Sequence, residues 1–499
     1  MTLRVTNTLS GETEPFEPLS DDEILLYLCG LTTSDPAHLG HARTWVHTDV
    51  IHRWLTHLGY DVRHVENFTD INEKIVARVG EVGDDEADVA ENYVASMLRD
   101  MRALNLLRVD VYPRVTEHVP EIIDLVETLV EEGYAYESNG SVYFDVTSFE
   151  EYGKLSNQQV EEMEAQGQED ERAEKRHPQD FALWKAGGVG PEEIDEHRHD
   201  EAAPAEEAAE TAMTFDSPWG EGRPGWHIEC SAMSMTHLGE TFDIHVAGRD
   251  LVFPHNENEV AQSEAATGQE FARYWLHTGM LRVEDESEGE DVKMSSSLMN
   301  FFEVENAVEE FGSDVLRTFF LSTNYSADQT FSEGALEEAE DRWERLERAY
   351  ERAVEAADSV DAHTTVADED LREQVEATPE EFTAAMNDDL NTREALAALL
   401  ELAGAVHRHV DDYDEYDFQA LSDAIETFEE LGGDALGFTF GSEADGTVEI
   451  ADELIELVLK VREDERAAGN YERADDLRDE LEALGVTVED SDDGYRYRY

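Results

Sequence analysis

The sequence predicts an α/β protein: a doubly wound, Rossmann-type parallel-sheet domain with an inserted connective domain, followed by C-terminal all-α helical domains. Three observations carry this. The apolar run Glu23-Ile-Leu-Leu-Tyr-Leu-Cys-Gly30 precedes a Thr/Ser/Asp/Pro turn, a helix-period segment and another apolar run, which is the strand–helix–strand order of a parallel unit. A second α/β signal spans residues 225–279. Beyond about Leu316, helical periodicity runs almost unbroken.

Taken in order, Glu23–Gly30 is short and apolar enough for a strand buried on both faces. In His41–Leu58, Trp45, Val50, Trp54, Leu55 and Leu58 recur at helical spacing, Gly59 closes the helix, and Asp61–Phe68 is the next strand. From about Asp110 to Asp216 the pattern changes. A helix at Glu121–Glu132 leads to an aromatic, hairpin-like stretch, Tyr134–Phe144. An acidic, Ala/Glu/Gln-rich tract follows at Glu161–Ala212, interrupted by Asp180-Phe-Ala-Leu-Trp-Lys185. It is expected to be a solvated or mobile insertion, with hydration as the role of Pro191–Ala212. Long amphipathic helices are expected at Asp341–Ala356 and Phe382–His409. A final helix pair is expected over Ile450–Leu484, lined by Leu454, Leu457, Val458 and Val461 against Ala474, Leu477, Leu481 and Leu484, with Gly469-Asn470 as the turn.

The 499 residues exceed what one core supports, so three or more domains are expected. With 120 Asp and Glu against 36 Lys and Arg, the formal charge is −84. High net charge favours disorder, yet seven Trp, 17 Tyr and 20 Phe lie in well-patterned segments. A folded protein with an acidic skin in salty cytoplasm fits better, because at ~1 M salt the screening length is only ~3 Å and self-repulsion fades. A salt-accumulating halophile is the expected source. Such charge does not exclude a nucleic-acid partner, since long-range attraction is weak in that salt. No run approaches the ~20 apolar residues of a membrane span, and the amino terminus lacks a secretory pattern. A cytoplasmic location is expected.

Chemistry-bearing residues fall in three groups. Ala37-His-Leu-Gly-His41 stands at the mouth of a helix, where histidines can reach nucleotide phosphates and Gly40 permits close approach; solvent-exposed capping histidines would give the same pattern. Lys293-Met-Ser-Ser-Ser297 follows the strand-like Gly279–Val283, and a lysine on a serine-rich loop can stabilise a departing pyrophosphate. In Phe253-Pro-His-Asn-Glu-Asn-Glu259, His255 and Glu259 fall at i and i+4 if a helix opens there. The two cysteines, Cys29 and Cys230, lie in the first strand's end and in Gly225-Trp-His-Ile-Glu-Cys-Ser231. Two thiolates, an imidazole and a carboxylate suit tetrahedral Zn²⁺. A disulfide, or buried structural cysteines beside a surface His/Glu pair, is the alternative.

Cys29-Gly-Leu-Thr32, His38-Leu-Gly-His41, Gly225–Met233, Phe253–Ser263 and Lys293–Ser297, taken together in order, closely resemble the cysteinyl-tRNA synthetases, class I aminoacyl-tRNA synthetases. The resemblance continues through Asn67-Phe-Thr-Asp-Ile71, Asp180–Lys185, Gly312–Arg317, Met386–Thr392 and Ala474–Leu481, covering nearly the whole chain except the acidic tract. It implies activation of L-cysteine by Mg²⁺-ATP to cysteinyl-adenylate, then transfer to tRNA(Cys). It further implies one zinc per subunit, held by Cys29, Cys230, His255 and Glu259, that binds the substrate thiolate directly. Thr69 and Trp226 would stand near the substrate; His38, Gly40 and His41, with Lys293 and Ser296, would bind ATP, with His38, His41 and Lys293 catalytic. A monomer without membrane association is implied.

The resemblance also sets expected boundaries. Residues 1–109 and 225–285 would be the two halves of the catalytic domain, and 110–224 the inserted connective, acceptor-end domain. Residues 286–330 would carry the ATP loop and stem-contact region, 331–445 a tRNA-binding helical bundle, and 446–499 a small anticodon-binding helix pair.

There are departures. Ser296 stands where the family usually has a second lysine, which Lys293 alone or a cation such as Arg282 would have to cover. Asn256 replaces a second histidine, and Ala247-Gly-Arg-Asp250 replaces a Gly-Gly approach. Two other functions remain open: a cysteine ligase acting on an amino sugar, which would not need the C-terminal helices, and a catalytically impaired tRNA-binding paralogue, favoured only by the missing lysine. The terminal Gly494-Tyr-Arg-Tyr-Arg-Tyr499 could stack on anticodon bases or form an inert tail.

Overall fold

The computed structural model describes residues 2–160, 163, 165–166, 173–283, 292–293 and 302–441, and, beyond these, 458–460, 462, 473, 477–478, 487–491 and 494–498. The chain forms two compact units, Met1–Phe440 and Gly441–Tyr499.

The first unit opens with a hairpin of β1 (Arg4–Asn7) and β2 (Glu12–Pro15). The parallel sheet follows, with β3 (Glu23–Leu28), β4 (Asp61–Glu66), β9 (Phe242–Gly248) and β10 (Ala272–Thr278) in the order β10-β9-β3-β4. All three ladders are parallel. Helix α1 (Leu39–His57) links β3 to β4 and buries Trp45, Val50, Trp54 and Leu55 of the face read from its spacing, together with Val46, whereas Leu58, just past its end, is exposed. Because β3 has β4 on one side and β9 on the other, the chain leaves its carboxyl end in one direction and returns to the other flank much later. That reversal opens a crevice at the carboxyl ends of the strands.

Short helix α2 (Glu73–Val76) and α3 (Glu86–Ala103) follow β4, and α4 (Val119–Glu131) leads into the inserted part. There β5 (Ala135–Ser138), β6 (Ser141–Phe144), β7 (Phe181–Ala186) and β8 (Gly222–Pro224) form an antiparallel sheet in sequence order. Its apolar face, including Val142, Phe144, Phe181 and Leu183, shares one core with Ile228, Ala232 and Met233 of α7 (Trp226–Leu238) and Ala261 of α8 (Glu257–Thr267). The inserted sheet therefore braces the two helices that border the crevice.

The acidic tract departs from expectation. Residues 190–212 are not a loose, hydrated insertion: α5 (Pro191–His197) and α6 (Ala205–Ala209) bury Ile194, Ala205 and Ala208 in the same core as the parallel sheet. Ala203 N–H donates to Val79 O at 2.8 Å, and the Arg78 guanidinium to His197 O. A sparse apolar face of small residues among glutamates has little periodic signal, which is why composition misled.

Beyond β10, β11 (Leu281–Val283) pairs antiparallel with β12 (Val292–Lys293) and parallel with β13 (Gln329–Phe331). Helices α9 (Val304–Phe311) and α10 (Ser313–Leu321) lead to a bundle of α11 (Glu333–Ala357), α12 (Glu369–Met386), α13 (Thr392–Asp412) and α14 (Phe418–Thr427). The single helix expected over Phe382–His409 is two, because Asp389 and Leu390 take positive φ. The Asp389 carboxylate accepts from Thr6 N–H at 2.6 Å and Thr6 Oγ1 at 2.8 Å, while Asn391 caps α13. Short polar side chains that bond backbone locally compete with helix continuation.

In the second unit, residues 458–460, 462, 473 and 477–478 are helical, and the rest of the expected pair over 450–484 lies outside the described residues. The terminal segment is a β-hairpin, β16 (Thr487–Ser491) against β17 (Gly494–Arg498), so the C-terminal region is helical with an added hairpin. Two minimal strands, β14 (Ala362–His363) and β15 (Tyr416–Asp417), pair within the bundle. Among the described residues no helix is long and apolar enough to cross a membrane.

Candidate functional site

The crevice is a cleft of about 1040 Å³ lined by segments that follow β3, β4, β9 and β10. Its floor starts at Cys29, just past β3, whose N–H donates to Val246 O at 3.0 Å. Gly30 follows for a steric reason: a Cβ there would sit 1.6 Å from Asn67 O. The Asn67 amide oxygen accepts from Gly30 N–H at 2.9 Å and Tyr27 OH at 2.7 Å, locking the ends of β3 and β4 together.

Cys29, Cys230, His255 and Glu259 converge, with one donor atom from each within 4.8 Å of all the others, and all four are buried. Cys29 Sγ lies 3.7 Å from Cys230 Sγ and 3.4 Å from His255 Nε2, and His255 Nε2 lies 2.8 Å from Glu259 Oε1. A tetrahedron with Zn–S bonds of ~2.3 Å has S···S edges of about 3.8 Å, so the donor set and spacing fit zinc. Both cysteines are free thiols, so they form no disulfide. Cys29 follows the last residue of β3, Cys230 is in the second turn of α7, and His255 and Glu259 bracket the start of α8, the helix expected to open there. The cleft reaches both cysteines, so a ligand meets the sulfur side of the cluster.

The electrostatics are those of a charge-balanced cluster. The hydrogen bond from Cys29 brings the Cys230 thiol down to about 6, whereas that bond and burial push Cys29 up. Burial alone would raise Glu259, but the adjacent His245 and His255 hold it well below the usual carboxylate range. Burial would lower His255, yet Glu259 and Cys230 carry it up to about 10. Bound metal would displace the remaining protons, since its ligands must be deprotonated.

Sequence reasoning missed the layer behind these ligands. His245 Nε2 is 2.8 Å from Glu259 Oε2, Asn256 Nδ2 donates to Glu259 Oε1 at 3.0 Å, and His277 Nε2 meets Asn256 Oδ1 at 3.0 Å. His227 Nδ1 lies 3.0 Å from His255 Nδ1. Asn256, which seemed a departure, thus orients the carboxylate. The available signal was a histidine amid apolar residues in each of β9 and β10.

Also lining the cleft, His38 caps α1 and stacks on His41 with ring centroids 3.6 Å apart. Each Nδ1 accepts a backbone N–H of the other residue at 3.3 Å, which places the neutral ring's proton on Nε2. His38 is only 7% exposed and His41 is half-buried, so His38 is not the solvent-exposed cap of the alternative. A Cβ on Gly40 would come within 2.8 Å of the His38 ring. Thr69, buried, and Trp226, 41% exposed, both line the cleft, and the Trp226 ring is 4.5 Å from that of His255.

Lys293 is not in a free loop: its backbone pairs with Arg282 in the β11–β12 ladder. Ser296 lies outside the described residues. Arg282 is held by Asp328, through Nη2 at 2.7 Å, and Arg249 bonds the same carboxylate at 3.0 Å. Neither arginine lines the cleft. That explains Arg249 as one half of a surface clamp on Asp328.

Family models match nearly the whole chain. The model for tRNA synthetases class I (C), catalytic domain, matches residues 15–341, a DALR domain matches 381–441, and a cysteinyl-tRNA ligase anticodon binding domain matches 451–498. The chain is 68% identical to the cysteine–tRNA ligase of Haloarcula marismortui and 62% identical to that of Halobacterium salinarum, over 100% of each chain. It is 42% identical to the Thermococcus onnurineus cysteine–tRNA ligase over 99% of this chain and 98% of the other. In fold it is similar to Mycobacterium tuberculosis methionyl-tRNA synthetase in complex with methionyl-adenylate: TM-score 0.58, 17% identity, 83% of this chain and 89% of that one.

Proposed function

The chain belongs to the cysteine–tRNA ligases, class I aminoacyl-tRNA synthetases, and we propose that its cleft performs their two-step reaction with the residues assigned here. It is an ATP-dependent ligase that activates L-cysteine and esterifies tRNA(Cys). The observation that carries the substrate assignment is the Cys29–Cys230–His255–Glu259 cluster, open on its sulfur side to the cleft.

In the first step a carboxylate oxygen of cysteine attacks the α-phosphorus of ATP, taken as its Mg²⁺ complex. A C–O–P linkage forms and the bond to pyrophosphate breaks. In the second, a ribose hydroxyl of the terminal adenosine attacks the carbonyl carbon, and AMP leaves. Zinc held by the four residues would supply a soft Lewis acid that takes a substrate thiol as thiolate. A free thiol has a pKa near ~8.5, whereas a serine hydroxyl keeps its proton. Discrimination can then reside in binding, with no editing step demanded.

The protein's residues do the positioning. His245 and Asn256 fix the Glu259 carboxylate. Trp226 and Thr69 wall the space over the cysteines. His38 and His41, with protons on Nε2, donate toward the phosphates, and Lys293 supplies a cation for the departing pyrophosphate. Residues 1–109 with 225–285 are assigned as the catalytic domain, 110–224 as the acceptor-end insertion and 286–330 as the ATP-loop and stem-contact region. We assign 331–445 as a tRNA-binding helical bundle and 446–499 as the anticodon-binding part; the matches at 381–441 and 451–498 support tRNA as acceptor over an amino sugar.

Cysteine-dependent ATP–pyrophosphate exchange at molar KCl tests the first step, and charging of tRNA(Cys) against an amino-sugar acceptor tests the second. Absence of exchange would overturn the catalytic assignment.

A further inference from the structure

We propose that Lys74 is a phosphate-binding residue of the cleft, a role that rests on the ligase activity above but that none of the ATP-binding motifs assigns. The chain has only six lysines among 499 residues, against 120 acidic ones. Lys154 bonds Glu151 and Glu264. Lys175 donates to Gln166 O at 2.9 Å and lies over the Tyr143 ring, and Lys185 is also partnered. Lys74 is exposed, lines the cleft, and among the described residues its ammonium has no partner.

Its root is rigid although its head is free. Asn72 caps α2 by accepting from Lys74 N–H at 3.0 Å, and Ile75 and Val76 beside it are fully buried. The Glu86 carboxylate accepts from Asn72 N–H at 3.0 Å and is clamped by Arg223 at 2.6 Å. One turn on, Arg78 also lines the cleft, but its charge is paired with Asp35, at 2.8 Å, and its Nη1 donates to the His197 carbonyl. Arg282 is held by Asp328. The cleft must nevertheless receive strongly anionic partners, the triphosphate of ATP and the terminal phosphodiesters of tRNA, in a chain whose Ser296 brings no charge. An ammonium on a rigid root, with no counter-ion among the described residues and on the wall of that cleft, is complementary to either.

The two phosphate sources separate experimentally. Lys74→Met keeps the aliphatic stem and removes the charge, and Lys74→Arg restores a cation. ATP–pyrophosphate exchange reports the KM for ATP, and aminoacylation at saturating ATP reports the KM for tRNA(Cys). The full-length chain is used at molar KCl, with zinc content as a check on the fold. Lys74→Met is expected to raise one of these KM values about tenfold or more, the loss of one charge-assisted hydrogen bond. Lys74→Arg should return it to within about threefold. A shifted KM for ATP assigns the triphosphate; a shifted KM for tRNA alone assigns the acceptor end. Both KM values within twofold of the parent, or a fall in kcat alone that arginine does not rescue, would overturn the role. Failure of the parent to catalyse exchange would instead strike the ligase assignment.

Discussion

At the scale of single residues, the cluster makes distinct demands on its ligands and on their supports. Cys230 contributes a thiolate on the open side of the cluster, so Cys230→Ala should reduce zinc to well under one per chain and abolish exchange. The fold should persist, because Ile228, Ala232 and Met233 still anchor α7; metal analysis with far-UV circular dichroism checks this. If zinc were lost and activation survived, the thiolate-selectivity argument would be wrong. His245→Gln is subtler. It removes the imidazole 2.8 Å from Glu259 Oε2, so zinc affinity should fall roughly 10–100-fold, measured by chelator competition. Glu66 concerns stability alone. It is buried, and burial raises its carboxyl to about 8 despite the hydrogen bond from the Trp45 indole. The unfolded chain releases that proton near pH ~4.3. Between those values the folded state holds one proton more, so stability is greatest below the window. It falls by about 1.4 kcal/mol per pH unit as pH rises through the window. Glu66→Gln should remove that slope from denaturation free energies measured between pH 5 and 8.

At the scale of elements, visibility in the sequence depended on periodicity. Strand β3 and helix α1 were legible because Ile24, Leu26 and Leu28, then Trp45, Trp54 and Leu55, are large and regularly spaced. The ligand pair His255 and Glu259 was legible because a helix places i and i+4 on one face. His245 was not, because its role exists only once β9 and α8 lie side by side, and Asn256, which bonds Glu259 three residues on, carries no charge that marks it as part of a metal site. The break between α12 and α13 hid in Asn387–Asn391, where Asp389 prefers a bond to Thr6 to a place in a helix. The acidic tract hid most, since a few scattered buried side chains, Ile194, Ala205 and Ala208 among them, tie it to the core. That gives the tract its own test. Ile194 is fully buried, and Ile194→Ala should cost about 2–4 kcal/mol. Loosening of α5 should appear as new protease cleavage within residues 187–212. Unchanged protection there would mean that the tract is held by backbone contacts such as Ala203 to Val79 rather than by its core.

At the scale of the whole molecule, a charge of −84 must be reconciled with a continuous core running from the parallel sheet into the helical bundle. The described ion pairs do not supply the balance. Arg342–Glu338 and Arg348–Glu344 are exposed i, i+4 pairs, each worth a few tenths of a kcal/mol and weaker in salt. Arg317–Asp49, at 2.5 Å, is buried and therefore largely insensitive to salt. Salt thus weakens the exposed attractions, so its electrostatic contribution to stability comes from relief of repulsion among unpaired carboxylates. Lowering KCl from ~2 M to ~0.1 M lengthens the screening distance to about 10 Å, enough for neighbouring carboxylates on helices such as α11 to act on one another. The thermal midpoint, followed by circular dichroism, should therefore drop steeply over that range. Sucrose, which favours compact states by exclusion but does not screen charge, should restore only part of the loss. A midpoint independent of KCl would show that the acidic surface is locally neutralised, and recovery by sucrose equal to that by KCl would show that exclusion, not screening, holds the chain together.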